Sequence, residues 1–187
     1  MRKILFAFIS LFIMAAVFAA PAYSGWSPFK KEKAQDQKVR DKEVAEAIAR
    51  FKNSDPDMKV FFEKAYGYAV FPSVGKGGMG IGGAYGKGKV YKNKRPIGRS
   101  SLKQLTIGFQ LGGQVYSEII FFKDKKALDD FKSGNFELGA QASAVAVTAG
   151  ASANADYDNG VAIFTIAKGG LMYEATVGGQ KFSFTPM

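Results

Sequence analysis

The stretch "GKGGMGIGGAYGKGK", Gly75 to Lys89, decides how this chain folds, because it places eight glycines in fifteen residues. Gly78, Gly80 and Gly83 within it spell G-x-G-x-x-G. A dinucleotide cradle of that form needs a strand before the glycines, a helix after them, and an acid about twenty residues further on to hold the ribose. Here "AYGKGKVYKNKRP" comes next, Pro96 closes it, and no Asp or Glu occurs before Glu118. A phosphate loop of the G-K-[ST] kind is absent as well. What the stretch does have is a period of two. Gly78, Gly80, Gly82, Ala84, Gly86 and Gly88 fall on one side, with Met79, Ile81, Tyr85, Lys87 and Lys89 on the other. That is a strand with one bare face. Each strand glycine costs roughly 0.5 to 1 kcal/mol relative to alanine, so a bare face implies close approach by something else. The expected partner is a helical hairpin carrying Phe61 and Phe62; a ligand is the alternative.

Upstream, Val44, Ile48 and Phe51 recur at i, i+4 and i+7 among charged neighbours, which predicts an amphipathic helix beginning near Asp36. "NSDPD" ends it, with Ser54 or Asp55 placed to cap a second helix, Pro56 in its first turn, and Met58, Phe61, Phe62 and Ala65 as its apolar face. After Tyr66 the period changes to two. "YGYAVFP" reads as a short strand ending at Pro72. "LTIGFQLGGQ" alternates Leu105, Ile107, Phe109 and Leu111 against Thr106, Gly108, Gln110 and Gly112, and "VYSEIIFF" is a further strand. "KDKKALDDFKSG" predicts a short helix with Ala127, Leu128 and Phe131 turned inward and Gly134 as its stop. The small residues of "FELGAQASAVAVTAGASANAD" predict two paired strands broken at Gly150, and "GVAIFTIA" and "LMYEATVGGQKFSFT" complete the set. The expected class is α+β: an N-terminal helical hairpin packed on a curved, barrel-like antiparallel sheet, with one further short helix.

At the start, Arg2 and Lys3 precede an apolar run from Ile4 to Ala20 and the small residues Ala20-Pro21-Ala22. That order predicts a signal peptide over 1–22, export to the periplasm, a polar leader over 23–35 and a single domain over 36–187. Retention of the apolar run as an anchor is the alternative. The chain holds no cysteine and no histidine. Disulfides, Ser-His-Asp triads, Cys-His pairs and the usual zinc sites are therefore ruled out, and no metal or cofactor is expected. The eight acids after residue 117 show no paired spacing, and Ser73, Ser100, Ser101 and Ser117 lack a base partner motif, so no catalytic residue is assigned.

The formal net charge is +10, and residues 64–117 carry nine basic groups and no acid. Lys87, Lys89, Lys92, Lys94, Arg95, Arg99 and Lys103 succeed one another there, with Tyr85 and Tyr91 interleaved. Basic plus aromatic is the composition of a surface that rests on anionic headgroups. The partner expected is an anionic phospholipid or membrane surface. Nucleic acid would suit the same charges, but export argues against it. A second reading makes the glycine-lined and alanine-lined faces a pocket for a small apolar or lipid-chain ligand. Neither reading fixes the oligomeric state.

These residues resemble the SYLF family, the lipid-binding domain of endocytic adaptors, which has many exported bacterial members and is also described as actin-regulating. The carriers are "GYAVFPSVGKGGMGIGGAYGKGKVY", "IGFQLGGQVYSEIIFF", "FELGAQASAVAVTAG" and "AKGGLMYEATVGGQ". The resemblance implies a single α+β domain with a curved sheet that binds anionic lipid. Lys76 and Gly77 stand at the family's K-G position, and Gly82, Gly83, Gly86 and Gly88 at its later glycines. Tyr173-Glu174 depart from the pattern, standing where the family has two small residues. Actin is not carried over, since a bacterial periplasm offers none.

Overall fold

The computed structural model describes residues 28–134, 136–138 and 144–187. The expected signal peptide and residues 23–27 of the expected leader lie outside these, as does the centre of the small-residue stretch at 139–143. Among the described residues there are three α-helices and a five-stranded mixed sheet that does not close. Helix α1 runs Pro28–Ser54, starting upstream of the expected Asp36, and α2 runs Lys59–Lys64 after a 3-10 turn at Pro56–Met58. Strands β1 (Gly67–Lys92) and β2 (Arg95–Phe122) lead to α3 (Lys125–Lys132). Next come two short strands, β3 (Glu137–Leu138) and β4 (Val145–Ala146), then a 3-10 turn at Ala151–Asn154 and the long β5 (Val161–Pro186).

The expected helical hairpin does not form. Asp55 and Pro56 break α1 as predicted, with the Asp55 carboxylate accepting from the Asp57 N–H at 3.1 Å. Past this break the chain makes only a 3-10 turn and the six residues of α2, too short to run back along α1. The other Asp55 oxygen accepts from the Ser152 N–H at 2.7 Å, which ties the break to the turn before β5. Burial works against that carboxylate, and the hydrogen bonds from Ser152 and Asp57 outweigh it, holding its pKa below the ordinary value.

Sequence separated β1 at Pro72 and divided β2 and β5 in two, whereas each is one long strand. β1 passes Pro72 through a register shift between Phe71 and Val74, a bulge where proline's missing N–H leaves no ladder bond unmade. The β1–β2 turn is two residues, Asn93 and Lys94, at φ 49° and 64°, the left-handed pair of a type I′ hairpin. β2 pairs antiparallel with β5 from Gly98↔Pro186 to Phe122↔Val161. The small-residue strands do not pair with each other. β3 runs antiparallel to β5 at Lys181 and Gln180, and β4 parallel to it at Phe164 and Thr165, which makes the sheet mixed rather than antiparallel.

Long strands in a small domain must bend. The bend falls in the glycine stretch, where Gly80 has φ +74° and Gly108 on the neighbouring strand φ +139°. A Cβ on Gly78 would lie 2.5 Å from the Cα of Gly82, so β1 turns back on itself there. The three long strands thereby fold into two layers, 67–77 with 113–122 and 161–170 below, and 82–92 with 95–107 and 178–186 above. The bare glycine face lines the inside. Cβ atoms on Gly86 and Gly88 would meet Val74 Cγ2 at 2.7 Å and the Val70 carbonyl at 2.5 Å. The partner that needs those glycines is thus the upstream half of the same strand, and neither a hairpin nor a ligand fills that space.

Two cores result. Between the layers, Phe71 and Phe182 approach to 5.6 Å, and α3 closes the open end with Phe131, 4.8 Å from Phe122 and 5.2 Å from Phe182. Asp124 caps α3 by accepting from the Ala127 N–H at 2.9 Å, and Ala127, Leu128 and Phe131 face inward as predicted. Outside the lower layer, α1 and α2 cover Phe121, Ile119 and Phe164 with Val44, Ala47, Phe51, Phe61 and Phe62. Phe62 and Phe121 meet edge to face at 4.9 Å.

Glu118 sits in the inner core. One carboxylate oxygen accepts from Gln180 Nε2 at 3.0 Å across the two layers, and the other has no partner. Burial pushes its pKa from 4.5 up to about 7, against the hydrogen bond from Gln180. Between those pH values the native chain holds a proton that the unfolded chain has released. Stability from this group is therefore full below about pH 4.5 and falls as pH rises to about 7.

The bend and its core can each be tested by substitution. Gly88→Ala should destabilise by roughly 1–3 kcal/mol through overpacking against fixed backbone, whereas Gly75→Ala, with open space around its added Cβ, should lie within about 0.5 kcal/mol of the parent; urea midpoints decide it. Glu118→Gln should leave stability nearly unchanged at pH 4.5 and raise it at pH 8, on the order of 3 kcal/mol. An equal gain at both pH values would show that the carboxyl is not held protonated.

Candidate functional site

Because β1, β2 and β5 stay in register through the upper layer, their outward residues form rows. Tyr85 pairs with Lys103, Lys87 with Ser101 and Lys89 with Arg99; Lys103, Ser101 and Arg99 pair in turn with Lys181, Ser183 and Thr185. The fold thus brings five predicted residues, Tyr85, Lys87, Lys89, Arg99 and Lys103, onto one outer face. It does not bring the other four there. Lys92, Lys94 and Arg95 sit at the hairpin turn, with Lys94 about 30 Å along the strand from Tyr85. Tyr91 turns toward the helices and stacks on Tyr68 at 4.8 Å, and burial pushes its hydroxyl up to about 12, with Tyr68 and Asp41 adding to the rise.

The outer face is not free of acid, as its own sequence segment is. Helix α1 lays Asp41 against Lys89 at 2.7 Å, leaving that lysine side chain only 14% exposed. A cleft of about 480 Å3 opens between α1 and the sheet here, lined by Arg40, Lys87, Lys89, Arg99, Ser101 and Ser183 among others. The Ser101 and Ser183 hydroxyls lie 2.7 Å apart. Lys103 projects from the sheet beside it, and both Lys103 and the lining Lys87 are exposed. Arg40, Lys87, Lys89 and Arg99 outnumber the carboxylates of Asp41 and Glu43 around this cleft, and with its hydroxyls they favour an anion over a cation.

Of the family-motif positions, Gly82, Gly86 and Gly88 lie inside the bend. At Gly82 a Cβ would collide with Gln110 Oε1 at 2.2 Å. Gly77 and Gly83 have backbone oxygens as their nearest neighbours, at 3.5 and 3.1 Å, and Lys76 is half-buried beside the bend. The pocket expected on the glycine face is filled by the protein itself, while the alanine-rich face falls partly at 139–143, outside the described residues.

Sequence reading missed the outside of the bend. Met79 is 79% exposed and Phe109 70%, and Ile81, Leu105, Ile107 and Leu111 are exposed with them. The opposite side of β2 is polar yet buried: Thr106 Oγ1 donates to Gln110 Oε1 at 2.8 Å, and Gln110 Nε2 donates to the Gly80 and Thr106 carbonyls at 3.2 and 3.1 Å. The usual alternation of a half-buried strand is inverted here. The signal was available, since Thr106, Gly108, Gln110 and Gly112 are too small or polar to fill an apolar core, whereas a glycine-lined crease accepts them.

Among the described residues, no group of three or more His, Cys, Asp or Glu is placed to hold a metal ion, and no helix is long and apolar enough to cross a membrane. The Ser117 hydroxyl donates to the Pro72 carbonyl at 2.9 Å and is fully buried.

Residues 103–185 match the family profile described as "Ysc84: Las17-binding protein actin regulator". The chain is also 33% identical over 138 residues, 73% of its length, to Beta cell expansion factor A of Aeromonas veronii. It spans about half of that relative, 52%. The profile covers β2 from Lys103 onward and nearly the whole of β5, while the glycine stretch of β1 and the basic residues Lys87, Lys89 and Arg99 lie outside it. The chain thus carries a SYLF-family domain match over residues 103–185, and that family is described as lipid-binding or actin-regulating.

Proposed function

We propose that the domain binds anionic phospholipid surfaces, as a non-enzymatic exported protein, through the outer face of its upper layer. The observation that carries this reading is the alignment of Tyr85, Lys87, Arg99 and Lys103 on adjacent strands of one face, drawn from a segment with nine basic residues and no acid. The family match supports it at the level of lipid binding. Each cation near a negatively charged leaflet contributes about 1 kcal/mol at most, so three or four give reversible, salt-sensitive attachment after ordering costs. Lys92, Lys94 and Arg95 belong to a separate end of the hairpin and add little to contact through this face.

Flotation with phosphatidylglycerol-rich vesicles tests the reading. Binding should be strong at low salt, weak with phosphatidylcholine alone, and largely lost at about 0.5 M salt, where the screening length is only a few ångströms. Lys87→Glu with Lys103→Glu should weaken it about tenfold or more, and Lys94→Glu with Arg95→Glu much less. Equal recovery with neutral and anionic vesicles would refute the electrostatic mechanism.

A further inference from the structure

We infer that the outside of the bend is a wedge that enters the acyl region of a bilayer, a step that rests on the membrane reading above and extends it from adsorption to insertion. Six large apolar side chains, Met79, Ile81, Leu105, Ile107, Phe109 and Leu111, all more than half exposed, share this surface. They are neighbours by register: Met79 opposes Leu111, and Ile81 opposes Ile107. Nor can they turn inward. Thr106 and Gln110 fill the concave side with their own hydrogen bonds, and Gly78 and Gly82 leave no room there for a side chain. A one-residue slip would put the polar set outside and the apolar set into a space that does not exist. The apolar face is thus a fixed feature of the fold, of a kind that soluble surfaces seldom carry without a partner.

The border of the wedge identifies the partner. On the upper layer, the outward residues run from Phe109 and Ile107 to Leu105, then to Tyr85 and Lys103 opposite each other, then to Lys87. Leu105 stands about 10 Å and Lys103 about 16 Å along the strand from the apex at Gly108. Apolar tip, aromatic ring and cation in that order reproduce the sequence of acyl chain, interface and phosphate through one leaflet. On the lower layer, Lys76 and Lys168 line a shallow glycine-rich hollow beside Val115, with the Lys168 ammonium donating to the Pro72 carbonyl at 3.2 Å. A second copy of the chain seated face to face on this surface would set Lys87 and Lys103 against like charges. An anionic leaflet meets them with opposite ones, and the bilayer is the occupant the charges favour.

The chain has no cysteine, so Phe109→Cys gives a unique attachment point for an environment-sensitive dye, and Lys126→Cys on α3 gives the control. With phosphatidylglycerol-rich vesicles, the dye at 109 should move to a dry environment and be quenched by nitroxides on the acyl chains, and the dye at 126 should stay wet. In the unlabelled protein, Ile107→Asn with Phe109→Asn should lower the vesicle binding that survives moderate salt about tenfold or more. Protein that floats with anionic vesicles while the dye at 109 stays wet overturns insertion and leaves surface attachment standing. Protein that does not float at all overturns both. A dye already dry without vesicles also overturns insertion. It would indicate self-association if the effect depends on protein concentration, or cover by the apolar run Ile4 to Ala20 if the effect needs that segment.

Discussion

The structure depends on how Gln110 is housed. Its side chain is a polar amide almost completely removed from water, and such a group is costly unless its hydrogen bonds are made. They are made inside the bend, to the Thr106 hydroxyl and to the carbonyls of Thr106 and Gly80. That arrangement requires Gly78 and Gly82 to bring bare backbone against the amide. Without those glycines, β1 could not turn back over its own upstream half. The two layers would not meet, Phe182 would lose Phe71, and Gln180 would lose Glu118.

Everything outside the bend is arranged around this fold-over. The helices cover one outer face only as far as Ser117, whose hydroxyl is committed to the Pro72 carbonyl. Helix α3 stops the end opposite the bend with Phe131 and Leu128. Asp55, bonded to both Asp57 and Ser152, fixes the break after α1 to the turn that precedes β5. No element covers the outside of the bend among the described residues. The apolar set there is therefore exposed by consequence of what its neighbours had to bury.

Much of this was legible in the sequence where the physics is local. The α1 stripe, the break at Asp55-Pro56, the α3 face and its Gly134 stop all come from spacing and capping chemistry. The period of two in the glycine stretch correctly gave a bare face awaiting close approach. Its partner was not legible, because approach by the same strand depends on a fold-over at Gly80 that no local pattern announces. For the same reason, the alternation in "LTIGFQLGGQ" gave two faces without saying which one met water. The basic cluster was legible as composition but not as geometry. Pairing across strands placed Lys87 beside Ser101 and sent Lys94 to a distant turn, and α1 supplied the Asp41 that the segment itself lacks.

The bend therefore unites the fold with the proposed activity, since the packing that hides Gln110 is also what presents Met79 and Phe109. Hydroxyl-radical footprinting read by mass spectrometry tests that link directly, because it reports side-chain exposure residue by residue. In the free protein, Met79 and Phe109 should be heavily oxidised and the buried Met58 and Phe121 spared; phosphatidylglycerol-rich vesicles should then protect Met79 and Phe109 selectively. Protection of these two residues in the free protein, or oxidation unchanged by vesicles that bind the protein, would contradict the account.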